Sequence, residues 1–362
     1  MRWTRGRLAA LAGVAVLAVV AVGVDRAAQP PTALRSSSQA DASATVSPSR
    51  PSPRPSPRTA PAPSPRTAPA RPGAAVPTLP RPRGAGTAAA PSATAAVPPA
   101  ALPTLEPPVA LEFTLGTFNM LGASHTSRRG NHPGFETGTV RARRAAALLA
   151  GHRVDVVGLQ ELQGSQLRAL RRHSDLAFYP GSALAPRDSE NSVAWRRDRW
   201  VAVERHAVRI PYFDGGPRAV PVVRLRSRST GLEAWFVNVH NPAETHRFHH
   251  QQRFRARATL IEARLVDALM DRTHLPVFLT GDMNERAAFF CRLTARAPMV
   301  AARGGSNTGR CRPGAPRGID WIFGSQGVQF TGYREDDSHR VDLTSDHPLV
   351  TARVRVVGQP SG

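Results

Sequence analysis

Lysine is absent from this chain of 362 residues. Every fixed cation is therefore arginine, and the excess of 48 Arg over 26 acids follows a GC-rich coding bias as much as any function. The charge has to be apportioned before it is used. Residues 1–108 carry 12 Arg against 3 acids, which leaves 36 against 23, a net +13, in the remainder. A domain with that balance is drawn to polyanions, whether nucleic acid, anionic lipid headgroups or wall polymers. Cysteine is scarce too, and Cys291 and Cys311 alone are too few for a metal–thiolate site without further ligands nearby. In an exported chain an even count reads as one disulfide, worth about 3 kcal/mol through loop closure, with two free thiols as the alternative.

Long apolar runs are limited to one. Arg2, Arg5 and Arg7 precede an unbroken run from Leu8 to Val24, the charge and hydropathy order of an export signal. Its 17 residues are long for a signal core and short for a membrane span. Residues 1–28 therefore read as a signal, cleavable near Ala21-Val22-Gly23, or as an N-terminal membrane anchor. Residues 29–108 are dominated by Pro, Ala, Ser, Thr and Arg, with a repeated SPRTAP unit. Such a stretch cannot bury enough apolar surface to offset chain entropy and reads as a disordered, partly polyproline-like linker. Residues 109–362 are ample for one large core.

In that part strand-like runs alternate with helix-like ones. LEFTLGTFN, VDVVGLQE, LPVFLTGDMN, GIDWIFGS and HPLVTARVRVV read as strands, and SVAWRRDRWVAVE, AVPVVRLRSR and LEAWFVNVH as successive strands joined by tight turns. Helices are expected over Val140–Leu149, with Arg on one side and Ala or Leu on the other, and over Glu244–Met270. Hairpin-like groups separated by single helices predict an α/β protein in which two packed β-sheets are flanked by helices.

Several polar residues sit where an apolar run ends. Asp282 and Asn284 lie two apart after a buried strand and can share one phosphate, or can cap a helix over Glu285–Phe290. Glu161 is open to the same two readings, and Asn119 either binds or begins a turn. Pro348 holds His347 extended beside Asp346, at a site or at a turn into the last strand. Asp320, between apolar neighbours, needs a donor partner, for which His347 is the candidate. His240 alone would be a core histidine. His246, His249 and His250 resemble a metal box, but without acids among them a solvated helix face suits them better. Arg218, after Gly215 and Gly216, reads as a phosphate clamp or a plain surface arginine.

Taken together, TFNM, LQE, RAVPVV, NVHN, LTGDMN, RGIDWIF and TSDHP resemble the motifs of the endonuclease/exonuclease/phosphatase superfamily, the deoxyribonuclease-I-like fold, over about Leu111–Val356. The resemblance implies a four-layer α/β sandwich. It implies that Asn119, Glu161 and Asp346 hold a metal ion, Mg²⁺ first, with Mn²⁺ or Ca²⁺ as alternatives. His240 would donate to the scissile phosphate or leaving group, and Asp282 and Asn284 would orient the attacking water. Asp320 would orient His347, a general base or phosphate binder, and Arg218 would contact phosphate. Glu190, in ENSVAWRR, falls where an acid supports the first histidine. The chain lacks the cysteine-bearing signature of inositol polyphosphate 5-phosphatases and does not match abasic-site endonucleases closely.

The expectation is an exported, monomeric, Mg²⁺-dependent phosphohydrolase that cleaves phosphodiesters by direct attack of water, extracellular or held at the cell surface. Nucleic acid ranks first as substrate, then phospholipid headgroups as for sphingomyelinase-like enzymes, then a small phosphorylated metabolite. The competing expectation is a tethered polyanion-binding module without catalysis.

Overall fold

A computed structural model describes residues 108–315 and 318–358. The expected export segment and all but the last residue of the expected linker lie outside the described residues. Among those described, no helix is long and apolar enough to cross a membrane.

The elements run β1 (Val109–Asn119), α1 (Gly138–Gly151), β2 (Val156–Gln160), α2 (Gly164–His173), β3 (Leu176–Tyr179), β4 (Ser192–Arg196), β5 (Trp200–Pro211), β6 (Pro217–Ser227) and β7 (Glu233–His240). The second half has α3 (Gln252–Thr273), β8 (Val277–Asp282), α4 (Ala287–Thr294), β9 (Met299–Ala301), β10 (Gly305–Ser306), β11 (Arg312–Pro313), β12 (Asp320–Ser325), β13 (Gln329–Asp336), α5 (His339–Asp342) and β14 (Leu349–Gly358). One six-stranded sheet is ordered β13-β14-β1-β2-β4-β3 and the other β5-β6-β7-β8-β12-β9, with β10 and β11 as a separate ribbon.

Three apolar clusters stack these layers. Phe113, Trp200, Phe236 and Phe278 fill the space between the sheets. The small and aliphatic residues of α1 and α2, such as Ala142, Ala145, Leu167 and Leu170, cover the first sheet. Val266 and Leu269 of α3 with Phe289 and Leu293 of α4 cover the second. The order is helix, sheet, sheet, helix, each sheet covered on both faces except at the edge strands β5 and β13, which are largely exposed.

Four local expectations are corrected. SVAWRRDRWVAVE is not one strand but two, because β4 belongs to the first sheet and β5 to the second. The intervening turn crosses between layers and is pinned by Asp155, which takes Arg199 at 2.9 Å and the Thr114 amide at 2.8 Å. The long helix starts at Gln252 rather than Glu244. Glu244 instead accepts the Gln251 and Gln252 amides at 2.9 and 3.2 Å, capping the helix from outside. His246, His249 and His250 consequently lie exposed in the connection before α3, not on a helix. Arg141 of α1 faces inward, fully buried, although the arginines of that helix read as its outer side. Cys291 of α4 is bonded to Cys311 ahead of β11.

Candidate active site

The sheet registers bring the polar strand ends together. Asn119 pairs with Gln160 across parallel β1 and β2, His240 with Asp282 across parallel β7 and β8, and Asp320 with Asp282 across antiparallel β8 and β12. One rim therefore receives the carboxyl ends of four strands and the start of a fifth, with the turn before β14 adding Asp346 and His347.

Two close approaches make the convergence possible. A Cβ on Gly158 would fall 2.2 Å from Thr280 Oγ1 and 2.3 Å from Asn238 Oδ1, so glycine is what lets the sheets meet there. Gly281 has φ +153°, and a Cβ would sit 2.1 Å from the Val239 carbonyl. Beneath the rim, Asn238 pins one sheet to the other. Its Oδ1 accepts from Gln160 at 2.6 Å, and its Nδ2 donates to the carbonyls of Leu159 and Ser192 at 2.9 and 3.1 Å.

Above this pin the charged groups meet. Asn119 Nδ2 donates to Glu161 Oε1 at 3.0 Å and to Asp282 Oδ2 at 3.1 Å. His240 Nε2 lies 3.5 Å from Asp282 Oδ2 and 4.0 Å from Glu161 Oε1. His347 Nδ1 contacts Asp320 Oδ2 at 2.9 Å, and its Nε2 is 3.7 Å from Asp282 Oδ2. The Asn284 amide donates back to Asp282 Oδ1 at 2.9 Å, and its Nδ2 to the Asn241 carbonyl at 2.8 Å. The capping reading of Glu161 is corrected, because α2 is capped by Gln163 and Gln166. Asn119 does begin a turn, its Oδ1 accepting the Leu121 amide, while also making the two contacts above. Glu161 and Asn284 hold φ of 54° and 49°, left-handed values that cost energy for a residue with a Cβ and that cluster at functional sites.

Environment drives the two histidines apart. Burial works against a charged His347, but Asp320, through its charge and hydrogen bond, with Asp282 and Asp346, outweighs burial and raises His347 to about 10. Burial dominates at His240 and lowers it, against the pull of Asp282 and Glu161. His347 is thus an imidazolium at neutral pH and His240 a neutral ring. Burial and the neighbouring Asp320 push the Asp282 carboxyl up. For Glu161 burial is opposed and outweighed by His125, His240, the Gly122 amide and Asn119, which hold it far below the usual carboxylate range.

Arg218 is buried and engaged: it donates to Glu190 at 2.8 Å and to the Arg187 carbonyl, and lies 4.3 Å over the Tyr212 ring. Glu190 therefore supports Arg218, and also Gln163, rather than His240. The carboxylates beside His240 are those of Asp282 and Glu161. Five neighbours escaped the reading of the sequence. Tyr212 contacts the His240 ring edge-on at 5.6 Å. Asn241 anchors Asn284, and Asn238 pins the sheets. Arg141 donates to the carbonyls of Met120 and Thr344 at 2.7 and 2.9 Å, tying the turn after Asn119 to the segment that bears Asp346. His125 reaches Glu161. Only Asn238 and Asn241 had a signal, as the polar flanks of His240 in NVHN.

The donor set fits a hard divalent cation. Asp320 Oδ1 is buried with no hydrogen-bond partner, and carboxylates outnumber the charge that the histidines supply. The ligand atoms of Asp282, Asp320 and His347 lie within 4.8 Å of one another. In that trio Asp320 Oδ2 is paired with His347 Nδ1, and Asp320 Oδ1 is left without a partner. Glu161 and Asp346 offer carboxylate oxygens with more exposure, which suits an ion that keeps waters, whereas Asn119 is buried, its Oδ1 taken by the Leu121 amide and its Nδ2 turned toward Glu161.

Two face-to-face sheets carrying carboxylates, amides and two histidines on one rim define a phosphoester hydrolase of the α/β-sandwich class. The chain belongs to the Endonuclease/Exonuclease/phosphatase family, whose model matches residues 116–347, and family members act on phosphoester bonds, generally with a divalent metal. A Bacteroides thetaiotaomicron protein of that family superposes with a TM-score of 0.52 at 17% identity, covering 68% of this chain and 98% of that one. A mannosyl-6-phosphatase from Bacteroides thetaiotaomicron gives 0.53 at 19%, covering 67% and 99%. The human nocturnin catalytic domain gives 0.51 at 13%, covering 68% and 97%. At these identities the likeness is one of fold. Curated proteins gave no match.

Proposed function

We propose that this chain is an exported hydrolase that cleaves phosphodiester bonds in nucleic acid by direct attack of water at a divalent-cation site. The observation that carries the chemistry is the meeting of Glu161, Asp282, His240 and His347 within hydrogen-bond or ion-pair reach on one rim.

Glu161 and Asp346 would hold the ion, with Asn119, expected from the sequence as a third ligand, instead steadying Glu161 through its Nδ2. When bound, the ion neutralises charge on the phosphate and lowers the barrier to attack. Asp282, its carboxyl raised by burial, accepts the proton of the attacking water. Asn284, with Nδ2 committed to Asn241, leaves Oδ1 to orient that water. As the new phosphorus–oxygen bond forms and the ester bond breaks, His347, kept charged by Asp320, donates to the phosphate oxygens. His240, neutral, donates a hydrogen bond toward the departing oxygen, which takes up a proton from solvent as Asp282 releases to solvent the one it accepted.

The substrate class rests on what surrounds the rim. Arg128 and Arg129 after β1, Arg187 before β4 and Arg247 after β7 are exposed on segments flanking the site. Half-buried Phe213 and Phe248 stack at 4.3 Å and 9°, beside Tyr212, with Arg247 at 5.4 Å from the Phe248 ring. Arginines that follow a phosphate backbone, interleaved with stacking rings, suit single strands or frayed ends of nucleic acid.

The test is to assay the full chain with Mg²⁺ or Mn²⁺, and with chelator, on DNA, RNA, sphingomyelin vesicles, a sugar phosphate and bis-nitrophenyl phosphate. Chelator-sensitive cleavage of a nucleic acid is expected to exceed that of the others. Faster turnover of vesicles or sugar phosphate would overturn the substrate, and polyanion binding without turnover would leave a tethered binding module.

A further inference from the structure

The segment after β1 folds back over the acidic rim, and it is built rather than slack. Gln163 takes the Ser124 amide at 2.8 Å, Gln166 takes the Ala123 amide at 3.0 Å, and the His132 amide donates to the His125 carbonyl at 2.9 Å. Gly130 passes so close that a Cβ there would lie 2.0 Å from that same carbonyl oxygen. These contacts carry His125 to Glu161, Nε2 to Oε2 at 3.3 Å, and His132 to Asp346, Nε2 to Oδ2 at 3.8 Å.

The other nitrogen of His125 settles which side of the ring holds a proton. Nδ1 lies 2.7 Å from Asn131 Oδ1, an oxygen that can only accept, so Nδ1 carries hydrogen. Without an ion, the carboxylate of Glu161 raises His125 to about 9, and the proton on Nε2 is the positive centre between ring and carboxylate. A divalent ion would take the place of that proton, with Nδ1 still held by Asn131. An imidazole whose far N–H is fixed by an oxygen is the usual setting of a metal-bound histidine. The separation also fits, since two neighbouring donors on a six-coordinate ion of this size lie roughly 3 Å apart.

We propose that His125 is a nitrogen ligand of the divalent ion held by Glu161, giving the site a preference for an imidazole-binding ion such as Mn²⁺ over Mg²⁺. The inference rests on the reading of Glu161 as a ligand of that ion. It replaces an all-oxygen site with a mixed one and assigns the 124–132 segment a place in it.

The test is Mn²⁺ and Mg²⁺ binding to the full chain by calorimetry, with pulsed electron paramagnetic resonance of the Mn²⁺ complex to detect directly bonded ¹⁴N. Wild type is expected to bind Mn²⁺ more tightly than Mg²⁺ and to show nitrogen coupling. His125→Ala, with its thermal unfolding checked, is expected to lose that coupling and to weaken Mn²⁺ by about tenfold or more, the scale on which metal-site histidines and their supports matter. Mg²⁺ binding should change far less. His250→Ala, an exposed imidazole elsewhere, should change nothing. Wild type without nitrogen coupling, or His125→Ala with wild-type coupling and affinity, overturns the proposal and leaves His125 as an ion-pair partner of Glu161. Wild type that binds neither ion overturns the cation site itself.

Discussion

Glu262 offers a sharp test of how the rim is held from behind. It lies on α3 with no exposed surface, its Oε2 3.5 Å from Asn241 Nδ2. Glu262 Oε1 and Asn241 Oδ1 are both buried without a partner, a cost that vanishes if the carboxyl keeps its proton and donates it to the amide oxygen. Burial, against the weaker pull of Asn241 and Arg292, raises Glu262 to about 8. In the unfolded chain it ionises near 4.5. Between those values the folded state alone binds the proton, so stability falls as pH rises and is fully retained only below the unfolded value. At about 1.4 kcal/mol per pH unit, wild type should lose on the order of 4 kcal/mol relative to Glu262→Gln between pH 5 and pH 8. Glutamine supplies the same donor and acceptor without titrating. The assay is urea denaturation of both proteins at intervals from pH 5 to pH 8, backed by thermal unfolding, where the variant should gain on the order of 10 °C at pH 8. Parallel stability curves for the two proteins would refute the protonated acid–amide pair.

Three further outcomes follow from named contacts. Asn238→Ala should cost roughly 3 kcal/mol or more, because Gln160 and two strand carbonyls lose a buried partner at once; a change under 1 kcal/mol in urea would contradict the pin between the sheets. Arg218→Ala should cost on the order of 2–3 kcal/mol, less than for a wholly buried pair since Glu190 retains some water; an unchanged denaturation midpoint would show the guanidinium to be idle. Replacing Cys291 and Cys311 together with Ser should lower stability by about 3 kcal/mol, the loop-closure effect of a 20-residue separation, and equal denaturation midpoints would refute it.

The alternation of runs told of two sheets with helices outside, because period-two and buried strands such as those ending at Asn119, Gln160, His240 and Asp282 leave a plain mark in composition. What the runs could not tell was sheet membership. SVAWRRDRWVAVE reads as one strand-like run, and only the three-dimensional demand to pair β5 with β6 carries its second half to the other layer. The helix start failed for a local reason: Glu244 is a good helix former, yet its side chain serves the amides of Gln251 and Gln252 from outside. At the site, residues placed by strand ends were legible, since chemistry-bearing types interrupt apolar runs. Those placed by long-range folding were not. His125 sits in a polar, glycine-containing segment with no periodicity, Arg141 looks like one more surface arginine, and Tyr212 is 28 residues from the His240 it touches.

The most direct test of the whole account is the hydrolysis rate of bis-nitrophenyl phosphate by the full chain, compared with Asp282→Asn and His347→Asn. With the divalent ion present and thermal unfolding unchanged, each variant should fall by about 10²–10⁴-fold, the range for groups that move a proton or meet developing charge. Chelation of the wild type should do the same. Variants that keep rates within a few-fold of the wild type would mean that the convergent strand ends are not where the phosphoester is cleaved.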